Sequence, residues 1–563
     1  MKRIPLLLFL LFSILSKAQA PLPVGDFANP LKIPLVLAGN FGELRSNHFH
    51  SGLDIKTQQH TGLEVLASAS GTVSRIKIER YGYGKALYIE HPNGYTTVYG
   101  HLSKFSPEIE AYVKAKQYEK ESYAIELFPK AGEITVDQGE VVAYSGNTGG
   151  SGGPHLHFEI RDKNSRPMNP MQFGIEIKDT REPVLNDLFA YPLSDSSVVN
   201  QSQFPQKLKY RKQPDGTFLS EKITAYGPVG FGVGAIDQQD GANNKNGIYR
   251  VETSFNGEKN VEIKMDKFSF AETRYINRMI DYEYFENHHD RVQKLFVERN
   301  NPLSIYKQAS DKGILNLSEE GYSYVYNINI YDYKGNRTAV LIPIEVKRDT
   351  ILQPKEIQKT DYFAQANSSL NFDLGNYAVY IPKGAFYDDY YLDVSEKDNV
   401  LHLDEDVIPI QNYITISCDV SQYKPEDRQQ LYIGSVGYNN KIFYTGSRLD
   451  GDKLSATTRS LGDYTVDRDD MGPKIKAINI EDGKWMTKSN SIDFKITDDK
   501  SGIKSFRATV NGKFILMEYD YKTDRLEYSF DDGKVTDTEN DFKLIVTDNV
   551  GNSSTFTAKF YRK

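Results

Sequence analysis

The sequence predicts a mainly β chain: one compact antiparallel β-sheet domain near the start, followed by about three β-sandwich modules. Three observations predict it. Short runs of β-formers are separated by glycine, asparagine and aspartate turn signals along most of the length. A clear helix start occurs after Ser106-Pro107 and few others are seen. One order of turn signals occurs twice in the second half. At 563 residues the chain exceeds what one core can organise, so several domains are expected.

Taken in order, Lys2 and Arg3 precede an apolar stretch from Pro5 to Leu15, which closes on Ala18-Gln19-Ala20. That is the pattern of a signal peptide over residues 1–20, too short in its apolar part to span a bilayer. The protein is therefore expected to be exported, to the periplasm, the cell surface or the exterior, with no membrane span after cleavage. Removing Lys2, Arg3 and Lys17 takes the formal charge from −8 to −11. An acidic chain without a basic stripe argues against nucleic acid as a partner. The single cysteine, Cys418, excludes an intramolecular disulfide and reads as a small buried hydrophobe in the strand-like run Tyr413–Val420. The 38 tyrosines suit half-wet strand surfaces.

Pro21–Lys32 reads as an extended lead-in and residues 33–176 as the first domain. Asn93-Gly94 marks a hairpin between Ile89–His91 and Tyr95–Gly100. Seven of the ten histidines lie between His48 and His157. Most telling is Gly146–Glu159, GNTGGSGGPHLHFE. On a strand, His155 and His157 share one face and Leu156 and Phe158 the other. His50 and Asp54 stand four apart, and Tyr99-Gly100-His101-Leu102 ends a strand. Together these offer three nitrogen or oxygen ligands and two spare imidazoles. A catalytic zinc needs three protein ligands and one open position. Arg45 reads as a surface arginine, with the orienting of a carboxylate or substrate as the alternative. His60 receives no role, and His48 and His91 read as surface residues or as neighbours of the ligands. Between His101 and Gly146 lies a long connection, Ser103–Glu140, with a helix expected from Pro107 to about Lys120; it is expected to wall one side of a groove.

His50-x-x-x-Asp54, Gly100-His101-Leu102 and Gly146-Asn147-Thr148-Gly149 through Gly153-Pro154-His155-Leu156-His157-Phe158-Glu159 resemble the lysostaphin/LytM-type zinc metallopeptidases. The resemblance covers about a quarter of the chain. It implies an antiparallel β domain with an open groove, one Zn2+ held by His50, Asp54 and His157, and an unligated catalytic pair, His101 and His155. Which of that pair acts as base is left open. The implied substrates are the peptide stems and cross-links of peptidoglycan. No ligand or catalytic position is substituted, which favours an active endopeptidase over a catalytically silent scaffold that recruits other wall hydrolases, or over an adhesin.

After Asp179-Thr180-Arg181-Glu182-Pro183 the histidines nearly vanish. Residues 180–348 and 470–563 repeat one grammar. An acidic turn comes first (Asp237; Asp498-Asp499), then Gly-Ile (Gly247-Ile248; Gly502-Ile503) and an Asn-Gly hairpin (Asn256-Gly257; Asn511-Gly512). An Asp-x-x-Gly-Asn turn closes each (Asp332–Asn336; Asp548–Asn552). Both look like immunoglobulin-like β-sandwiches, and residues 350–468 like a third sandwich. These modules are expected to space the first domain or to dock a protein partner. The acids Asp498-Asp499 and Asp469-Asp470 read as exposed turn residues rather than calcium ligands.

Overall fold

The computed structural model describes residues 22–563, so the segment read as a signal peptide lies outside the described residues. The described chain is mainly β. Among the described residues, no helix is long and apolar enough to cross a membrane.

The first sheet is antiparallel. Its strands run Leu37–Gly39, Leu53–Lys56, His155–Arg161, Thr96–Gly100, Lys85–Glu90, Gly71–Ile78 and Ile125–Leu127 in spatial order. His155–Arg161 is central because it alternates cleanly: Leu156, Phe158 and Ile160 are wholly buried in the core, which turns His155, His157 and Glu159 to the opposite face. The register sets His157 opposite Asp54 on one side and opposite Gly100 on the other. The approach is close: a Cβ on Gly100 would stand 3.3 Å from His157 Cβ and 3.4 Å from the ring of Tyr83.

The helix spans Pro107–Lys120, with proline in its first turn, and buries Ile109, Val113 and Gln117. Of the connection that carries it, Ser103 and Tyr123 line a cavity with Asn147, Thr148 and Gly149, while the rest lies elsewhere. Ile125–Leu127 and Thr135–Val136 pair with Gly71–Ile78, at the far edge of the sheet from Leu53–Lys56. Pairing there satisfies the backbone of an edge strand, which a free loop would leave open. The outer face of the helix instead meets the last module: Lys114 Nζ lies 2.5 Å and Tyr118 Oη 2.7 Å from the Asp532 carboxylate.

Residues 184–346 build a thirteen-stranded sheet around the fourteen-residue strand Ile223–Ile236. This strand pairs antiparallel with Val184–Pro192 and parallel with Arg337–Val346. One apolar core runs without a break from Phe27 to Val346 and so joins this sheet to the first domain. Phe41 and Phe49 pack on Phe268, with ring centroids 5.1 and 5.4 Å apart. Met168 bridges to Lys267 through the backbone.

Two five-stranded sheets within residues 370–468 enclose a separate core. Cys418 is buried in it, opposite Tyr377 and Leu454. Residues 474–561 form a four- and a five-stranded sheet around a third core. This last module returns to the first domain: Lys85 Nζ meets Glu518 at 2.9 Å, Arg507 meets Glu121 at 2.6 Å, and Tyr521 packs on Tyr81 at 4.7 Å between centroids.

Candidate metal centre

The five side chains singled out above come together on the polar face of the central strand. His50 Nε2 stands 3.1 Å from Asp54 Oδ1 and 3.1 Å from His157 Nδ1. His157 Nδ1 is 2.8 Å from the same Asp54 oxygen. All three residues are buried, and their ligand atoms lie within 4.8 Å of one another.

The fit to a metal can be read from the remaining ring nitrogens. His50 Nδ1 donates to the Asn40 carbonyl at 2.7 Å, and His157 Nε2 donates to Glu159 Oε1 at 2.8 Å. Each tie turns the other nitrogen toward the centre; burial keeps the His50 ring neutral with a lone pair free there, and on His157 a bound metal would displace the proton that the neighbouring carboxylates hold. Two imidazoles and one carboxylate are the donor set of a catalytic zinc. A fourth buried nitrogen, His155 Nε2, has no hydrogen-bond partner and lies 3.4 Å from Asp54 Oδ1. The residues present fit a divalent metal with a place left beside it.

Electrostatics agree. Burial opposes ionisation of Asp54, yet the imidazoles of His50, His155 and His157 hold its carboxyl well below the usual range. Burial likewise opposes charge on Glu159, and Arg161 and His157 overcome it and keep it ionised. Burial works against an imidazolium at His157, but the Asp54 and Glu159 carboxylates push its pKa up to about 9. His101 moves the other way: burial, then the nearby His157 and His155, bring it down to about 3, so it stays neutral.

His101 and His155 face each other with ring centroids 4.7 Å apart. His101 Nδ1 donates to the Thr148 carbonyl at 2.8 Å, and His155 Nδ1 to the Gly153 carbonyl at 2.9 Å. Both anchors belong to the glycine-rich loop, which explains its composition. A Cβ on Gly149 (φ +68°) would collide with the backbone of Gly82 and Gly84, so only glycine lets the two loops touch. His101 itself leaves its strand in the left-handed region, at φ 58°. That costs about 1 kcal/mol or more in a residue with a side chain, and the Thr148 bond holds it.

Four residues of the site escape a reading of the sequence. Glu159 shares the strand face of His157 at i+2, and that spacing was the available signal. It is fully buried and bonded to Arg161, Ser51 and Tyr83 as well. Asn40 and Tyr83 carry no local signal. Arg45 is not a free surface arginine: its Nη2 lies 2.5 Å from Asp54 Oδ2, reaching across Gly39, where a Cβ would take its place. His48 is exposed. His91 is neither a surface residue nor a neighbour of the ligands: it is buried in the core, bonded to the Ser70 carbonyl and Thr97 Oγ1. Replacing Glu159 by glutamine is expected to weaken zinc affinity by about 10- to 100-fold, measured by competition with a chromogenic chelator.

An open cavity of about 490 Å3, lined by Lys56, Gln58, Gln59, Gly152, Pro154 and His155, lies beside this centre. On the other side the last module covers the loop. Lys522 Nζ bonds the carbonyls of Asn147 and Ser151, and Tyr521 Oη bonds that of Gly149.

Two family models match the chain. Residues 48–118 and 129–170 match peptidase family M23, and residues 361–469 match a Zu5-like domain. The DD-carboxypeptidase/endopeptidase Mpg of Neisseria meningitidis serogroup B is 36% identical over 132 residues, which is 23% of this chain and 24% of that protein. The peptidoglycan DD-endopeptidase ShyB of Vibrio cholerae is 31% identical over 128 residues, 23% of this chain and 24% of its own length. The chain thus spans about a quarter of the length of these relatives. The catalytic domain of the prophage-encoded M23 protein EnpA from Enterococcus faecalis aligns with 27% of this chain and 99% of its own, at 26% identity and a TM-score of 0.20.

Proposed function

From the match of residues 48–118 and 129–170 to peptidase family M23, we propose that the whole protein is an exported zinc endopeptidase that hydrolyses peptide cross-links of peptidoglycan. The observation that carries this reading is the convergence of His50 Nε2, Asp54 Oδ1 and His157 Nδ1, with a fourth, unpartnered nitrogen of His155 beside them. His50, Asp54 and His157 would hold one zinc. When bound there, zinc polarises the scissile carbonyl and acidifies water so that hydrolysis proceeds near neutral pH.

The chain's own residues do the rest. Arg45 takes the Asp54 oxygen that faces away from the histidines, so only one oxygen is presented to the centre. Glu159 and the Asn40 carbonyl hold the two imidazoles in a single orientation. His101 and His155, each with its Nδ1 proton on a loop carbonyl, present Nε2 toward the reacting peptide. One of them takes a proton from attacking water on its free Nε2 and, as the imidazolium so formed, gives it to the leaving amine. A peptide stem would lie in the cavity beside Gln58, Gln59 and Gly152, the side left uncovered by the last module.

Alanine at His101 or at His155 is expected to lower kcat/KM by about 10²- to 10⁴-fold with zinc content unchanged. The check is muropeptide chromatography beside metal analysis of the same samples. Zinc lost together with activity would make these residues ligands rather than proton carriers.

A further inference from the structure

The two places where the chain enters the second sheet and the last β module are built alike. Asp179 and Asp469 each stand four residues before a proline, Pro183 and Pro473. Asp237 and Asp498 each follow directly on a strand, Ile223–Ile236 and Ser491–Thr497. Asp332 and Asp548 each open the closing Asp-x-x-Gly-Asn turn. In both junctions one carboxylate oxygen from each of the three acids lies within 4.8 Å of the others. The wiring repeats too. The Asn336 amide donates to Asp332 Oδ2 at 2.6 Å and to the Asp179 carbonyl at 3.4 Å. The Asn552 amide donates to Asp548 Oδ2 at 2.8 Å and to the Asp469 carbonyl at 2.7 Å.

A second, independent observation falls at one equivalent position in each module, the residue before Gly-Ile. Asn246 is 1% exposed, and neither its Oδ1 nor its Nδ2 has a partner; Asp237 Oδ1 is also buried and unpartnered. Asp237 and Asn246 exchange both backbone hydrogen bonds at 2.9 Å, and such a pair turns both side chains to the same face. In the last module Ser501 is 3% exposed, its Oγ has no partner, and its N–H donates to Asp469 Oδ2 at 3.0 Å. The neighbouring cations are engaged elsewhere: Arg181 on Gln238, Arg468 on Asp427 and Lys500 on Asp467. Among the described residues, none of the six acids forms an ion pair with a lysine or arginine. The acids read in the sequence as exposed turn pairs divide instead. Asp470 and Asp499 are on the surface, while Asp469 is buried.

Three carboxylates gathered together, two of them buried in each cluster and none with a counter-charge, are costly to keep ionised. A hard cation that takes six to eight oxygens removes that cost. We propose that each junction binds one Ca2+, the first through Asp179, Asp237 and Asp332 with Asn246 beside them, the second through Asp469, Asp498 and Asp548 with Ser501. Each ion ties the incoming linker to the module it enters. The first would also stiffen the segment from Asp237 to Gly247, which ends on Asn40 next to the His50 anchor.

The test uses full-length protein, stripped of metal, reloaded with one equivalent of Zn2+ and titrated calorimetrically with CaCl2. Two Ca2+ per chain are expected for the unmodified protein, one each for Asp237→Asn and Asp498→Asn, and none for the double variant. Calcium should raise the melting temperature of the unmodified protein and leave that of the double variant unchanged. In calcium-free buffer the variants should melt no lower than the parent, since each has one charge fewer in a cluster of like charges. Terbium luminescence on the unmodified protein, displaced by Ca2+, reads the same sites without any substitution. No binding at millimolar CaCl2, a stoichiometry untouched by both substitutions, or equal binding of MgCl2 would overturn the proposal.

Discussion

Alanine at His157 is expected to abolish zinc binding and to lower kcat/KM on muropeptides by about 10³-fold or more. Zinc contributes several kcal/mol to the transition state as a Lewis acid, and each 1.36 kcal/mol is a factor of about ten. A site with two ligands left, His50 and Asp54, does not keep the ion. The fold should survive the change. Glu159 loses His157 but keeps Arg161 at 2.6 Å and Ser51 at 2.7 Å, so no unpaired buried charge remains to unfold the sheet. Metal analysis, muropeptide chromatography and a melting curve on one preparation make the check. Full activity in protein that holds no zinc would end the reading of His50, Asp54 and His157 as a catalytic metal centre.

A fragment ending near residue 176 is expected to be insoluble, or to melt far below the full chain, whereas one ending near residue 348 should fold. The reason is the shared core. Cutting at 176 strips Phe41 and Phe49 of Phe268, and removes Met265, which packs directly over Gly42. It also takes away Thr273, whose hydroxyl accepts the Phe49 N–H at 2.8 Å. Exposing buried side chains of this size costs about 1.5–3 kcal/mol each. Two or three of them match most of the about 5–15 kcal/mol by which a domain is stable. The modules after residue 348 have cores of their own, so their removal leaves the first core intact. Solubility and thermal melting of the two fragments decide the matter; a soluble, cooperative fragment 22–176 would show that the joint core is dispensable.

What the sequence disclosed follows how locally each feature is encoded. Strand spacing announced that His155 and His157 share a face, and the resemblance to lysostaphin/LytM-type peptidases joined His50, Asp54 and His101 to them. The helix was legible from Ser106-Pro107 and its apolar face. Arg45 misled because its partner, Asp54, is fixed by a bulge-bearing register between Leu37–Gly39 and Leu53–Lys56 that no local pattern announces. Asn40 could not be found at all: its side chain is bonded to Gly247, 207 residues away. The acid clusters were half legible. The repeated turn grammar was visible, but which member of each Asp-Asp pair points inward depends on tertiary packing.

Synthesis runs from the first residue toward the last, and the core shared across residues 27–346 gives that direction a consequence. Every donor of the centre has been made once His157 emerges, yet Met265, Phe268 and Thr273, which brace the His50 strand, are still more than a hundred residues away. At about 5–20 residues per second they trail by roughly 5–20 s. A nascent chain therefore carries the donors of the centre before the residues that brace them have been made, and the centre can take its shape only once the second sheet has been delivered.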